Sequence, residues 1–556
     1  MQQDARNTTA AEQAPLLSIR DLEVCFGDKA SPVLHRVSFD VARGERVAIV
    51  GQSGSGKSTT VGAVLQLLAG SGRISHGSIR LDGVDLTECG EAGMRSIRGR
   101  RIGLVPQDPM SNLNPSMKVG AQIADALAAS GLPGVSERNR AGIRRRAVEL
   151  MAEAGIPEAD RRYGQYPHEF SGGMRQRVLI AIALAGDPDL IIADEPTSAL
   201  DVTVQRQILN HLQKLVDARG TSLLFITHDL GLAADRTDRI IVMADGRIVE
   251  QGSPRQILLE PQQAYTRALV AAAPSVSAAL APGRGQAAET EAEEGQAPVV
   301  SVRNVVKEFK LRGQRGSTVK ALNDVSFSVD RGTTTAVVGE SGSGKTTVAR
   351  ILLGLETPTS GEALIRGESI TASRGAARRS LRRMVQPVFQ DPYGSLDPTY
   401  SIERLIDEPL RIFGIGDKAS RRGRVAELLD QVALPRSVAQ RRPNELSGGQ
   451  RQRVAIARAL APEPELLICD EAVSALDVLV QDQILGLLAE LQERLGLTYL
   501  FITHDLAVVR QIAHKVVVMK SGSVIECGTA DQVFLAPRAQ YTQELLSAIP
   551  GAAFAG

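Results

Sequence analysis

One eight-residue pattern is written twice, as Gly51-Gln52-Ser53-Gly54-Ser55-Gly56-Lys57-Ser58 and as Gly339-Glu340-Ser341-Gly342-Ser343-Gly344-Lys345-Thr346. Each copy follows a short apolar run, Val47-Ala48-Ile49-Val50 or Thr335-Ala336-Val337-Val338. A G-x-x-x-x-G-K-[ST] loop between a strand and a helix is a phosphate cradle. Its glycines let backbone N–H groups close around phosphate oxygens, and the helix turns its positive end to the same anion. Two such loops commit the chain to two copies of one α/β core. The rest of the sequence agrees, because three further motifs recur in order: Ser171-Gly172-Gly173 with Ser447-Gly448-Gly449, Asp194-Glu195 with Asp470-Glu471, and Thr227-His228-Asp229 with Thr503-His504-Asp505. The lysines lie 288 apart (57 to 345), whereas the serines (171 to 447), the aspartates (194 to 470) and the histidines (228 to 504) all lie 276 apart. The first copy is therefore 12 residues longer (288 − 276), and only between its lysine and its Ser-Gly-Gly.

The runs Leu190-Ile191-Ile192-Ala193 and Leu466-Leu467-Ile468-Cys469 end in Asp-Glu, and Leu223-Leu224-Phe225-Ile226 and Leu500-Phe501-Ile502 run into Thr-His-Asp. Continuous apolar runs of this length read as parallel strands buried on both faces, with chemistry where each strand ends. Helical periodicity fills 204–215 and 480–495. Ala, Gly, Pro and Glu without apolar periodicity make 275–298 a flexible linker. The reading is a flexible 1–15, a first domain at 16–274, the linker at 275–298, a second domain at 299–550 and a flexible 551–556.

A net charge of +1 gives no field for nucleic acid or an anionic membrane surface. Cys25, Cys89, Cys469 and Cys527 form no C-x-x-C pair, which argues against a zinc ribbon or a locally built iron–sulfur cluster; they read as small apolar residues in a reducing compartment. No apolar run reaches the roughly 18 residues of a spanning helix, and the polar start at Met1-Gln2-Gln3-Asp4 lacks an apolar signal core. The chain is expected to be soluble by itself, with any membrane part supplied by another chain.

In the phosphate loops, Gly51, Ser53, Gly54 and Gly56, with Gly339, Ser341, Gly342 and Gly344, are the cradle. Lys57 and Lys345 are expected to reach the β- and γ-phosphates of ATP, Ser58 and Thr346 to ligate Mg²⁺, and Thr59 and Thr347 to follow them along the phosphate-facing helix. Asp194 and Asp470 are expected to hold Mg²⁺, and Glu195 and Glu471 to polarise the attacking water. An Asp-Glu pair after a strand has a second reading, a helix N-cap pair; the upstream phosphate loop favours the catalytic one.

Together these residues resemble the ATP-binding cassette (ABC) family over nearly the whole chain outside the linker and termini. The resemblance implies a RecA-like core, an antiparallel β portion and a helical subdomain in each copy. It makes Phe170-Ser171-Gly172-Gly173-Met174 and Leu446-Ser447-Gly448-Gly449-Gln450 the signature, and Gln107 and Gln390 the Q-loop glutamines, which sense the γ-phosphate, stand with the metal ligands and face the membrane partner. His228 and His504 become the switch histidines, and Asp201 and Asp477 the D-loop. Phe26 and Phe309 sit where the family stacks an aromatic on adenine; packing of a strand is the other reading of both. In the family, the signature of one cassette closes the site of the other. One site is then Lys57, Ser58, Gln107, Asp194, Glu195 and His228 closed by Ser447, Gly448 and Gly449. The other is Lys345, Thr346, Gln390, Asp470, Glu471 and His504 closed by Ser171, Gly172 and Gly173.

Gln107-Asp108-Pro109-Met110-Ser111-Asn112-Leu113-Asn114-Pro115 and Gln390-Asp391-Pro392-Tyr393-Gly394-Ser395-Leu396-Asp397-Pro398 resemble the dipeptide/oligopeptide importer ATPases. So do Tyr166-Pro167-His168-Glu169 and the tails Pro261-Gln262-Gln263-Ala264-Tyr265-Thr266-Arg267-Ala268-Leu269 and Pro537-Arg538-Ala539-Gln540-Tyr541-Thr542-Gln543-Glu544-Leu545. The plain reading of each tail is a surface helix packed on its own cassette. The resemblance implies two membrane permease subunits and an extracytoplasmic substrate-binding protein as partners, and a place on the cytoplasmic face of the cell membrane. No iron–sulfur cluster is expected, since no cysteine follows Cys527 and none lies between Cys89 and Cys469. Two rivals stand beside this reading: an importer ATPase for another solute (nickel, haem, glutathione or sugar), and a soluble tandem-cassette factor acting on ribosomes or nucleic acid. An acidic, Pro/Gly-broken connector suits RNA poorly.

Overall fold

A computed structural model describes residues 14–27, 31–132, 139–197, 200–273, 297–310, 318–474 and 476–551. The linker expected at 275–298, apart from its last two residues, and most of both flexible termini lie outside the described residues. Two compact units divide the chain, one mainly within 1–276 and the other mainly within 277–549.

In the first unit, the apolar runs become a six-stranded sheet. Its order is Arg247–Gly252, Arg239–Ala244, Arg46–Val50, Ser222–Thr227, Leu190–Asp194 and Ile102–Val105, parallel except for the antiparallel edge strand Arg247–Gly252. Val47 to Val50 and Leu190 to Ala193 have no exposed surface, as strands covered on both faces require. The register pairs Val50 with Thr227 and Asp194 with Ile226. The phosphate loop, the Asp-Glu pair and the histidine turn therefore leave the sheet at the same edge.

A second, antiparallel sheet orders Pro32–Val41, Leu17–Phe26, Gly72–Leu81 and Val84–Asp85. Along Leu17–Phe26 the residues Leu17, Ile19, Leu22 and Val24 point inward while Arg20 and Asp21 are exposed. This one-sided pattern lets the sheet cover the phosphate-loop helix and the central strands with a shared core that includes Val64 and Ile192. Between the Q-loop and the signature the chain is helical, with the longest segments Val119–Ser130 and Arg140–Glu153.

The second unit repeats the plan: a six-stranded sheet of Val385–Val388, Leu466–Asp470, Thr498–Thr503, Thr334–Val338, Lys515–Lys520 and Ser523–Thr529, beside an antiparallel sheet of Thr318–Val329, Val300–Lys310, Ser360–Ile365 and Glu368–Ser369. The helices expected at 204–215 and 480–495 run longer, as Val202–Arg219 and Val478–Leu495, the second opened by the side-chain cap of Asp477. Part of the 12-residue excess falls early: Lys57 is 50 residues from Gln107, but Lys345 is 45 from Gln390. No helix of the described residues is long and apolar enough to cross a membrane. Cys25 and Cys469 are buried, as small apolar residues would be, while Cys527 is exposed on an edge strand and departs from that expectation.

Candidate nucleotide sites

The phosphate loops are bent by glycine. Gly54 and Gly56 have φ of 80° and 101°, and Gly342 and Gly344 have 80° and 103°, a region closed to most side chains. Each loop then delivers its lysine to a buried position. Lys57 Nζ donates to the carbonyls of Gly51 at 2.7 Å and Gln52 at 2.9 Å; Lys345 Nζ donates to Gly339 at 2.7 Å and Glu340 at 2.8 Å. Burial holds the Lys345 ammonium below the ordinary lysine range against the pull of Glu471 and Asp470. Inside the loops, the hydroxyls of Ser55 and Ser343 are buried without a hydrogen-bond partner, an unsatisfied state that an anion's oxygens would relieve.

Next to each loop sit the expected metal ligands. The hydroxyls of Ser58 and Thr346 stand beside the carboxyls of Asp194 and Asp470 and favour their charged forms. Burial, then the charge of the neighbouring glutamate, pushes both carboxyls up, that of Asp470 to about 6. Asp470 Oδ1 is buried with no partner. A hydroxyl beside an under-satisfied carboxylate, next to a phosphate cradle, is a hard-oxygen set that fits Mg²⁺ held jointly by protein and nucleotide.

The glutamates are the hubs. Glu195 accepts from Gln107 Nε2 at 2.9 Å and lies 3.1 Å from His228 Nδ1. Glu471 accepts from Gln390 Nε2 at 2.8 Å and lies 3.2 Å from His504 Nδ1. Burial pushes the Glu195 carboxyl up, but the bond and charge of His228 outweigh it and hold the group below the ordinary range. For Glu471 the His504 bond is the dominant cause of the same downward shift. Burial disfavours the charged imidazole, yet the glutamates hold both histidines above their ordinary range. With the amide nitrogens of Gln107 and Gln390 engaged, their amide oxygens are the atoms compatible with a metal. Sequence reasoning did not anticipate the backbone here: Glu195 and Glu471 sit at φ of 44° and 50°. Their N–H groups are nonetheless satisfied by the carbonyls of Ile226 and Ile502, at 2.9 and 2.8 Å. A non-glycine residue in this region carries strain that its surroundings must enforce.

The signature serines are N-caps. Ser171 Oγ accepts from Met174 N at 3.3 Å, opening the helix Gly172–Leu184; Ser447 Oγ accepts from Gln450 N at 3.3 Å, opening Gly448–Leu460. Gln450 returns a bond from Ser447 N at 3.1 Å and closes a capping box that Met174 lacks the oxygen to make. Neither serine hydrogen-bonds the lysine, Asp-Glu pair or histidine of its own unit among the described residues. The second glycine of each signature is a packing glycine. A Cβ on Gly449 would lie 2.4 Å from Val480 Cγ1, whereas one on Gly448 would meet Leu476 Cδ2 at an ordinary 3.8 Å. Gly449→Ala is expected to cost about 1–3 kcal/mol by overpacking, with Gly448→Ala near neutral. Urea unfolding of the two variants checks this, and equal midpoints would refute it.

Phe26 ends its strand half-buried against the core, and Phe309 is 38% exposed with Lys307 Nζ 4.8 Å from its ring centre. Phe26 thus leans toward the packing reading, while Phe309 leaves a ring face available. Of the D-loop, Asp477 caps the helix Val478–Leu495 through Val480 N; Ser198, Ala199 and Ala475 lie outside the described residues. Sequence reasoning also missed two tail tyrosines that touch the phosphate loops. Gln52 N donates to Tyr265 Oη at 3.2 Å, and Glu340 N to Tyr541 Oη at 3.3 Å.

Known proteins bear on this geometry in two ways. The family described as ABC transporter matches residues 34–198 and 322–474. The family described as Oligopeptide/dipeptide transporter, C-terminal region, matches 249–298 and 525–554. Among similar proteins, the oligopeptide transport ATP-binding protein OppD of Mycobacterium tuberculosis is 42% identical over 97% of this chain and 98% of its own length. The glutathione import ATP-binding proteins GsiA of Salmonella typhimurium and Escherichia coli K12 are each 42% identical over 96% of this chain and 89% of their own lengths. Two matched cassettes, each followed by the same C-terminal region and each holding one phosphate loop and one glutamate hub, make this chain a member of the ABC transporter family.

Proposed function

We propose that this chain is the ATP-hydrolysing subunit of an importer for dipeptides or oligopeptides, with one catalytic hub in each cassette. The observation that carries the ATPase part is the glutamate held between Gln107 and His228, and again between Gln390 and His504, next to a phosphate loop. The peptide part is supported by the C-terminal regions and by relatives named for oligopeptide and glutathione transport. Glutathione, itself a small peptide, is the second reading.

In the proposed cycle, the loop N–H groups and Lys57 or Lys345 bind the β- and γ-phosphates. Ser58 with Asp194, and Thr346 with Asp470, hold Mg²⁺ alongside the amide oxygens of Gln107 and Gln390. When bound, Mg²⁺ neutralises charge developing on the phosphate oxygens. Glu195 and Glu471, kept ionised by their histidines, polarise the attacking water. The signature residues Ser171, Gly172 and Gly173 serve the nucleotide held by the second cassette, and Ser447, Gly448 and Gly449 that held by the first. The physical need is for a second set of donors on the face of the phosphates that a P-loop leaves open. ATP then joins the cassettes and hydrolysis releases them, a ligand-driven switch.

The cassettes are taken as 16–274 and 299–550, joined by 275–298. Two permease subunits carry the membrane path, an extracytoplasmic binding protein delivers the solute, and the ATPase sits peripherally on the cytoplasmic face of the membrane. Affinity purification of the tagged chain from its own cells is expected to bring down two membrane proteins, and ATP turnover in that complex is expected to rise with a peptide-loaded binding protein. Recovery of ribosomal particles instead would sink the importer reading; stimulation by glutathione but not by longer peptides would select the second reading.

A further inference from the structure

One residue of each phosphate loop is gripped on both sides. The N–H of Gln52 donates to Tyr265 Oη at 3.2 Å, while its carbonyl accepts from Lys57 Nζ at 2.9 Å. The N–H of Glu340 donates to Tyr541 Oη at 3.3 Å, while its carbonyl accepts from Lys345 Nζ at 2.8 Å. A tyrosine more than 200 residues along the chain thus sits one peptide unit from the lysine that meets the phosphates. The glycines on the inner side of the loop make it compliant. The tyrosine supplies the outer restraint that the loop's own sequence lacks.

The element carrying each tyrosine is built to hold it there. Glu250 accepts from Gln262 N and Gln263 N at 2.8 and 3.1 Å, and Glu526 from Arg538 N and Ala539 N at 2.8 and 3.1 Å. Each carboxylate ties the start of its tail helix, Ala264–Ala272 or Gln540–Leu546, to the preceding edge strand. In the second unit Tyr541 and Leu545 also pack in one cluster with Ala336 and Val338 of the strand that feeds the loop. Both Tyr265 to Tyr541 and Glu250 to Glu526 keep the 276-residue spacing of the catalytic motifs. Their neighbours differ: Gln263-Ala264 precedes one tyrosine, Ala539-Gln540 the other. What recurs is the hydroxyl and its anchor. Packing alone explains a buried ring; it does not explain a hydroxyl aimed at the same amide twice.

We propose that Tyr265 and Tyr541 are positioning residues for the nucleotide, acting through Gln52 and Glu340 on Lys57 and Lys345, so that each C-terminal tail is part of its cassette's nucleotide-binding module. This rests on the phosphate-loop reading. The second grip is the more constrained, because Lys520 Nζ lies 4.2 Å from the Tyr541 ring centre where the first unit has Ala244.

The test uses the full chain with Tyr265→Phe, Tyr541→Phe and both together. Three measurements are made: the dissociation constant of trinitrophenyl-ATP with Mg²⁺, amide hydrogen exchange of the peptides covering 51–58 and 339–346 without nucleotide, and steady-state ATPase kinetics. The double variant is expected to bind about three- to ten-fold more weakly, the range one part-buried hydrogen bond supplies. Its loop peptides should exchange faster, and KM for ATP should rise while kcat moves less than about two-fold. Glu250→Gln with Glu526→Gln loosens the tail start but keeps both hydroxyls, and should weaken binding less than the Phe pair. Unchanged affinity and exchange in the Phe variants would overturn the proposal, as would an equal or larger loss in the Gln pair, which would mark a general tail effect. If the double variant does not fold, the single variants carry the test one site at a time. A wild-type chain that binds no nucleotide would instead sink the phosphate-loop reading, a separate outcome.

Discussion

Replacing Glu195 and Glu471 together by Gln is expected to lower ATP turnover about 100-fold or more, the scale of a lost general base, while nucleotide still binds. The substitution keeps shape and removes charge. A Gln at either position still offers an oxygen to the Nε2 of Gln107 or Gln390, so the hub stays assembled. What disappears is the carboxylate that the histidines at 3.1 and 3.2 Å keep ionised. Each single change should remove at least half of the turnover, because the two hubs have the same partners at nearly the same distances. Steady-state phosphate release, read beside nucleotide binding, checks this. Full activity in either single variant would show that its site does no hydrolysis and would overturn the reading of two working sites.

Lys57→Ala and Lys345→Ala act one step earlier and should weaken Mg²⁺–ATP binding at the altered site about 100-fold. The ammonium groups are buried and each bonds two loop carbonyls at 2.7–2.9 Å. Truncation removes the charge facing the phosphates and strips two carbonyls of a charged donor. Charge-assisted bonds contribute about 1.5–3 kcal/mol each, and about 2.7 kcal/mol is a hundredfold in binding. Fluorescent-nucleotide titration should therefore show one strong site in each single variant and none in the double. Two strong sites in a single variant would refute the assignment.

Much of each site comes from segments that the sequence marks locally: glycines around a lysine, carboxylates after a buried run, and a histidine after another whose role the family resemblance supplied. Parallel pairing of those runs brings their ends to one edge, so Lys57, Asp194 and His228 were legible before any coordinates. Gln107 and Gln390 carried no local signal and rested on family resemblance; the structure gives them a physical partner in Glu195 and Glu471. Three things were missed. The left-handed backbone of the glutamates goes with N–H groups held by strand carbonyls, and nothing in Asp-Glu encodes it. The difference between the capping box of Ser447 and the plain cap of Ser171 was readable, since it turns on Gln450 against Met174 three residues after the serine, but was passed over. The tail tyrosines reach loops 213 and 201 residues away, a distance at which periodicity says nothing. Their shared 276 spacing was the available clue, left unused while the tails were read for their family resemblance.

The left-handed glutamates have an energetic consequence. A glycine at 195 or 471 would relieve that strain, on the order of 1 kcal/mol per site, and would leave no base. On the proposed mechanism, each glutamate presents its water-polarising carboxylate from a strained backbone position, so the strain at 195 and 471 accompanies the chemistry proposed for them.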